Sequence, residues 1–137
     1  MRVVLDTNII ISGISARSPF HKVISSLLNK DYVMVVTNEI VLEYMEKLEN
    51  KFGNEVSQLF FESMESLSNV QFIDRVFESK LIEADLDDNK FVDCAYAGNV
   101  NYLVTNDRHF DRVKAIQFPK LNIITMDEFI NQLNKVS

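Results

Sequence analysis

Short apolar runs that alternate with amphipathic stripes constrain this chain more than any other feature. Val3-Val4-Leu5 and residues 32–36, 70–73, 102–104 and 121–125 are rich in β-branched and aliphatic side chains. The first of these runs shows no apolar–polar alternation, as expected of a strand buried on both faces. Between the runs, apolar residues recur at helical spacing. Phe20, Val23, Ile24, Leu27 and Leu28 follow Ser18-Pro19, and Ile40, Val41, Tyr44, Met45 and Leu48 follow Thr37-Asn38. Val56, Leu59, Phe60, Met64 and Leu67 form a third stripe, predicted to face inward from a helix over residues 54–67. Strands alternating with helices imply a mostly parallel sheet of four to five strands with helices on both faces.

Local signals set the expected boundaries. Ser18-Pro19 reads as a helix start, with Pro at the first helical position. Thr37 or Asn38 caps the next helix. Asp85-Leu86-Asp87-Asp88-Asn89 opens a helix through Ala97, and Gly98-Asn99 stops it. Residues 9–14 continue as helix or loop, 76–82 as a short helix or irregular segment, and 107–113 as a short helix or turn. A terminal helix runs from Met126 to Leu133, with Thr125 or Asp127 near its cap.

A length of 137 residues points to a single domain, 1–137, large enough to bury a core without staples. The one cysteine, Cys94, makes no internal disulfide, which fits a reducing cytoplasm. No apolar run reaches the length of a membrane span, and Asp6 and Asn8 interrupt the first apolar stretch where a signal peptide would be uniform. A cytoplasmic protein without a membrane partner is expected. The net charge of −6 argues against gripping nucleic acid by bulk electrostatics. Cations bound in an acidic pocket would reverse the sign locally.

Acids follow the strands. Asp6 comes directly after Val3-Val4-Leu5, Asp107 closely trails Tyr102-Leu103-Val104, Glu43 lies on the helix after the second strand, and Asp88 stands at a helix start. In a parallel α/β sheet ligands bind beyond the carboxyl ends of the strands, where these acids would converge. Crowded carboxylates repel, and an oxygen-seeking divalent ion, Mg²⁺ or Mn²⁺, relieves them. Such an ion can activate water against a phosphodiester. Each acid has a plainer reading. Asp88 suits a helix N-terminus by capping; Glu43 alone reads as a solvated helix acid; Asn106-Asp107 makes a plausible turn. Asp6 resists that treatment, because an acid after a buried strand is costly unless paired. Cys94 reads as a small buried hydrophobe, and His21 and His109 are too few for a histidine-rich zinc site.

Four segments, Val-Leu-Asp-Thr-Asn at 4–8, Thr-Asn-Glu-Ile-Val-Leu-Glu-Tyr at 37–44, Asp-Asp-Asn-Lys-Phe-Val-Asp-Cys-Ala at 87–95 and Leu-Val-Thr-Asn-Asp-Arg-His-Phe at 103–110, stand in one order. In that order they resemble the PIN-domain ribonucleases, and among them the VapC-like toxins of toxin–antitoxin systems. The resemblance spans essentially the whole chain. It implies a three-layer α/β/α PIN-like fold and a Mg²⁺- or Mn²⁺-dependent endoribonuclease. Asp6, Glu43, Asp88 and Asp107 then match the catalytic, metal-holding acids. Asn8 matches the polar residue that orients the first of them, and Thr105 a supporting hydroxyl. The third segment departs from the pattern in its wealth of acids, so that Asp87 or Asp93 shares or takes over the role of Asp88. Asp93 lies about 140° round an ideal helix from Asp88, and the two do not bind one ion equally.

The resemblance further implies an RNA substrate, an antitoxin protein as partner and a possible homodimer. Arg17, Lys22, Arg108 and Arg112 flank the first and fourth segments and are candidate phosphate contacts. Two other functions compete. A PIN-like module without catalysis would bind RNA or protein but would not need all four acids. An aspartate-nucleophile phosphohydrolase wants a second Asp two residues after the first, where this chain has Asn8.

Overall fold

The computed structural model describes residues 1–74, 89–111 and 120–136. Its elements are β1 (Arg2–Leu5), α1 (Thr7–Gly13), α2 (Lys22–Leu28), β2 (Val33–Val36), α3 (Asn38–Phe52), α4 (Asn54–Ser66), β3 (Val70–Phe72), α5 (Asn89–Ala97), β4 (Tyr102–Val104), a 3₁₀ turn (Arg108–Phe110), β5 (Ile123–Ile124) and α6 (Met126–Val136). The five strands form one sheet in the order β3-β2-β1-β4-β5, and every pairing is parallel. Val3 lies opposite Met34 on one side and Tyr102 on the other. Val3, Val4 and Leu5 are fully buried, as expected for the central strand of a sheet covered on both faces. Among the described residues, no helix is long and apolar enough to cross a membrane.

Helix ends follow the capping chemistry of their sequences. Thr37 Oγ1 accepts the Ile40 N–H at 3.2 Å and opens α3. Thr125 and Glu128 form a reciprocal capping box before α6. The Glu128 N–H donates to Thr125 Oγ1 at 3.2 Å, and the Thr125 N–H to Glu128 Oε1 at 2.9 Å. Two buried tyrosines join layers. The Tyr32 hydroxyl donates to the Val23 carbonyl at 2.7 Å, and its ring packs edge-on against Phe129 of α6. The Tyr44 hydroxyl donates to the Leu5 carbonyl at 2.5 Å, fixing α3 against the last residue of β1.

Three expectations needed correction. Ser18-Pro19 does not start a helix: α2 begins at Lys22. Ser18 Oγ instead accepts the Phe20 N–H and donates to the Ser12 carbonyl, closing a turn between α1 and α2. In α4 the inward face passes through Ser57, Phe60 and Met64, leaving Leu59 56% exposed. Ser57 is admitted because its hydroxyl donates to the Met45 carbonyl of α3 at 2.9 Å, which lets the two helices approach over a small residue. Met45 itself is half-buried, at the margin of the stripe assigned to it. The segment 76–82 and residues 112–113 lie outside the described residues, while the turn expected from Asp107 is present as the 3₁₀ turn Arg108–Phe110.

Asn99, at φ 49°, takes the left-handed conformation that ends α5. Gly98 beside it is required for space. A Cβ there would stand 2.7 Å from Val35 Cγ1 and 3.0 Å from the Cys94 carbonyl oxygen. Its own carbonyl receives the Arg2 guanidinium at 2.8 and 3.2 Å. Because Val35 is branched and fully buried, it has little freedom to yield. Gly98→Ala is expected to destabilise the fold by about 1–3 kcal/mol, read as a lower urea midpoint with unchanged slope.

Candidate active site

β1 ends where α1 begins, and Asp6 occupies the junction. Its backbone N–H still donates to the Val104 carbonyl at 3.0 Å, so the carboxyl is held at the carboxyl end of the central strand. Asp6 is 5% exposed. Thr105, just past β4 and equally buried, donates its hydroxyl to Asp6 Oδ2 at 2.7 Å. The same Thr105 oxygen accepts the backbone N–H of Asp107 at 3.0 Å. One hydroxyl therefore links the first and fourth acids of the sequence pattern. Asp107 is partly exposed, and its Oδ1 accepts the His109 N–H at 2.9 Å, with the His109 ring Nδ1 at 3.4 Å.

Glu43 projects from α3 towards the same region. Thr7 at the start of α1 donates its hydroxyl to Glu43 Oε2, and the Lys90 ammonium of α5 lies 2.7 Å from Glu43 Oε1. Three elements thus meet on one carboxylate. Burial holds the Asp6 proton, raising its pKa from the ordinary 3.8 to about 6. The negative charges of Asp107 and Glu43 add to that rise, while the Thr105 hydroxyl and the Thr7 backbone N–H oppose it. Asp107 and Glu43 are thus near enough to Asp6 to act on it by charge.

The remaining expected residues divide. Asp93 is fully buried on α5, and its charge helps burial push the neighbouring Cys94 thiol up to about 12. Asn8 is exposed and borders a surface depression with Ile11, Lys47, Asn50 and Lys51, whereas the hydroxyl on Asp6 comes from Thr105. Arg108 is exposed and lines a cavity of about 210 Å³ with Thr105, Asn106, Asp107, Asp111 and Thr125. Arg17 is exposed before α2, and Lys22 is half-buried at its start. Asp87, Asp88 and Arg112 lie outside the described residues. Thr7 and Lys90 were not anticipated. The available signal for Lys90 was a lysine directly before a buried Phe-Val pair, a position that demands a partner for its charge.

The described residues offer oxygen donors in Asp6, Asp107 and Glu43, which suit a hard divalent cation. A cation would also relieve the retained proton and mutual repulsion at Asp6. Among the described residues, no three histidine, cysteine or acidic side chains are grouped closely enough to hold an ion by themselves. The set fits an open site at which further ligands come from elsewhere.

The raised pKa has a consequence for stability. In the unfolded chain Asp6 ionises near 3.8, and in the metal-free fold near 6. The folded state binds the proton more tightly, so the Asp6 contribution is full below about pH 3.8. It is lost as pH rises through about 6, by about 3 kcal/mol in all. Asp6→Asn is therefore expected to raise the melting temperature of chelated protein at neutral pH. It should also flatten the fall in stability between about pH 4 and 6, as measured by thermal unfolding across that range.

A PIN domain family model matches residues 2–109. A search of curated proteins gave no match. Among solved structures the chain is similar to VapBC2 from Rickettsia felis bound to a DNA fragment from its promoter. The TM-score is 0.58 at 22% identity, over 91% of this chain and 98% of that one. It is also similar to Mycobacterium tuberculosis VapC20, a toxin that cleaves the sarcin–ricin loop, with a TM-score of 0.60 at 12% identity, over 84% and 97%. DNA-bound VapBC from Salmonella typhimurium gives 0.59 at 19% identity, over 92% and 98%. With the family model covering most of its length and the parallel α/β sheet matching these structures, the chain belongs to the PIN-domain family.

Proposed function

We propose that this chain is a metal-dependent endoribonuclease and the toxin of a toxin–antitoxin pair. The observation that carries the reading is the buried Asp6, coupled by charge to Asp107 and Glu43 at the carboxyl ends of the strands. Membership of the PIN family and likeness to VapC structures, one of them a sarcin–ricin loop cleaving toxin, support it.

Asp6, Asp107 and Asp88 would hold Mg²⁺ or Mn²⁺, with Glu43 as the fourth acid and Asp87 and Asp93 as neighbours of Asp88. A bound divalent ion supplies a water of lowered pKa and neutralises charge on phosphate oxygens. The chain's own residues prepare for this. Thr105 fixes the direction of the Asp6 carboxylate and the backbone of Asp107 together. Asp107 orients the Arg108–Phe110 turn, leaving Arg108 and His109 exposed beside the acids. Arg17, Lys22, Arg108 and Arg112 would contact the phosphates of the RNA strand. Hydrolysis of this type needs no covalent intermediate, hence no nucleophilic Ser or Cys; the buried Cys94 is protonated and inert.

An antitoxin is the proposed partner. The structures to which this chain is similar include VapBC complexes, two of them with DNA. An apolar groove of about 270 Å³ between α2 and α4, bordered by Leu28, Leu59, Phe60 and Met64, suits an apolar segment of such a protein or of a second copy.

Purified protein is expected to cleave RNA with Mg²⁺ or Mn²⁺ and to stop when the ion is chelated, as read on a gel of end-labelled RNA. Cleavage that survives the chelator overturns this mechanism; RNA binding without cleavage favours the inactive-module reading. Asp6→Asn should lose activity by more than the roughly 10–100-fold that removal of a supporting residue costs. Asp88→Asn should lose activity to the same degree with its melting temperature unchanged. A parallel assay in which Asp93→Asn is the inactive variant and Asp88→Asn the active one moves the third ligand to Asp93.

A further inference from the structure

We propose that Lys90 is a positioning residue of the acidic site: it keeps Glu43 as half of a neutral ion pair, so that Glu43 shapes the site without giving an oxygen to the ion. The inference rests on the reading that a divalent cation binds at Asp6 and Asp107. The geometry is specific. The Lys90 and Glu43 side chains are 6% and 21% exposed, with Nζ 2.7 Å from Oε1, and the Thr7 hydroxyl occupies Oε2. Both Glu43 oxygens thus have donors. Neither Asp6 nor Asp107 is placed in the same way: among the described residues the Asp6 carboxylate is met by the Thr105 hydroxyl and the Thr7 backbone N–H, and Asp107 Oδ1 by a backbone N–H with the half-exposed His109 ring 3.4 Å away, neither by an ammonium.

A buried ion pair is a poor device for stability, since a well-packed apolar pair serves as well or better. Its placement here argues for a role in setting charge. Lys90 is on the first turn of α5, with its ammonium 5.4 Å from the Phe91 ring centroid and its stem buried. Asp6 feels the charge of Glu43, and the Lys90 ammonium stands 2.7 Å from that charge. Lys90 thereby lowers the net negative charge around Asp6 by one while the Thr7–Glu43–Lys90 chain ties α1, α3 and α5 together. A divalent ion approaching Glu43 would meet an ammonium already seated on it, whereas Asp6 and Asp107 offer no such repulsion.

Mn²⁺ titration calorimetry without RNA tests this on four proteins: the parent, Lys90→Met, Glu43→Gln and the double variant. Lys90→Met frees the Glu43 charge and should tighten Mn²⁺ binding about five-fold or more; Glu43→Gln removes the negative charge opposite the ammonium and should weaken it by a similar factor. The double variant exchanges one neutral pair for another and should return to within about two-fold of the parent. A double variant as weak as Glu43→Gln makes Glu43 a direct ligand and overturns the proposal. So does a Lys90→Met protein that melts earlier but binds Mn²⁺ as the parent does, because Lys90 is then only structural. If Lys90→Met does not fold, the double variant, which removes both members of the 2.7 Å pair, still decides. A parent that binds no Mn²⁺, or an Asp6→Asn variant that binds it equally well, removes the metal site itself; that failure is distinct from one confined to Lys90.

Discussion

Parallel pairing on both sides of β1 is the constraint from which the site follows. The backbone of Asp6 remains in the sheet through Val104, while its side chain leaves the sheet at the start of α1. The neighbouring strand β4 ends one residue before Thr105, so its hydroxyl arrives beside Asp6 by register alone. In an antiparallel sheet, the carboxyl ends of adjacent strands would lie at opposite edges, and this meeting could not occur. The Tyr44 hydroxyl on the Leu5 carbonyl adds α3 to the same anchor and brings Glu43 along, one residue earlier on that helix.

Gathering acids in this way is unfavourable, and the structure shows where the cost is offset. Asp6 has the Thr105 hydroxyl and the Thr7 amide, and Glu43 has Thr7 and Lys90. These contacts reduce the penalty at Asp6 without removing it, as its raised pKa records. Under the proposed function a cation would offset what remains, by supplying the attraction that side chains of the chain leave wanting. Structural stability comes from elsewhere: the fully buried Val3, Val4, Leu5, Leu103 and Val104 along the central strands, and the aromatic contacts of Tyr32 and Tyr44.

Much of this was legible in the sequence because its signals are local. Short apolar runs gave the strands within two residues at either end, and the Thr37 cap and the Gly98-Asn99 stop fell where capping chemistry puts them. Asp6, Glu43 and Asp107 stand out by their places after strands or on a following helix and Thr105 by the family resemblance, and Asp6, Asp107 and Thr105 do meet through one hydroxyl. What escaped was tertiary. Leu59 fits a helical stripe as well as Phe60 does; the Ser57 bond to α3 and the edge-on packing of Phe60 against Tyr44 go with the face that α4 turns inward. Ser18-Pro19 has the right residues for a helix start, yet Ser12 lies within reach of the Ser18 hydroxyl and the turn takes it. Lys90 could not be paired with Glu43, because 46 residues, helix α4 and strand β3 among them, lie between the two in sequence.

The enclosure of α5 has a consequence of its own. Every residue from 89 to 95 is buried, including an amide, an ammonium and a carboxylate. A helix gripped on all its faces has no room to slide or roll, so any group it carries is set at a fixed depth and angle for the life of the fold. Solvent-facing side chains such as Arg17, Arg108 and His109 lie outside that grip and can be exchanged without disturbing it.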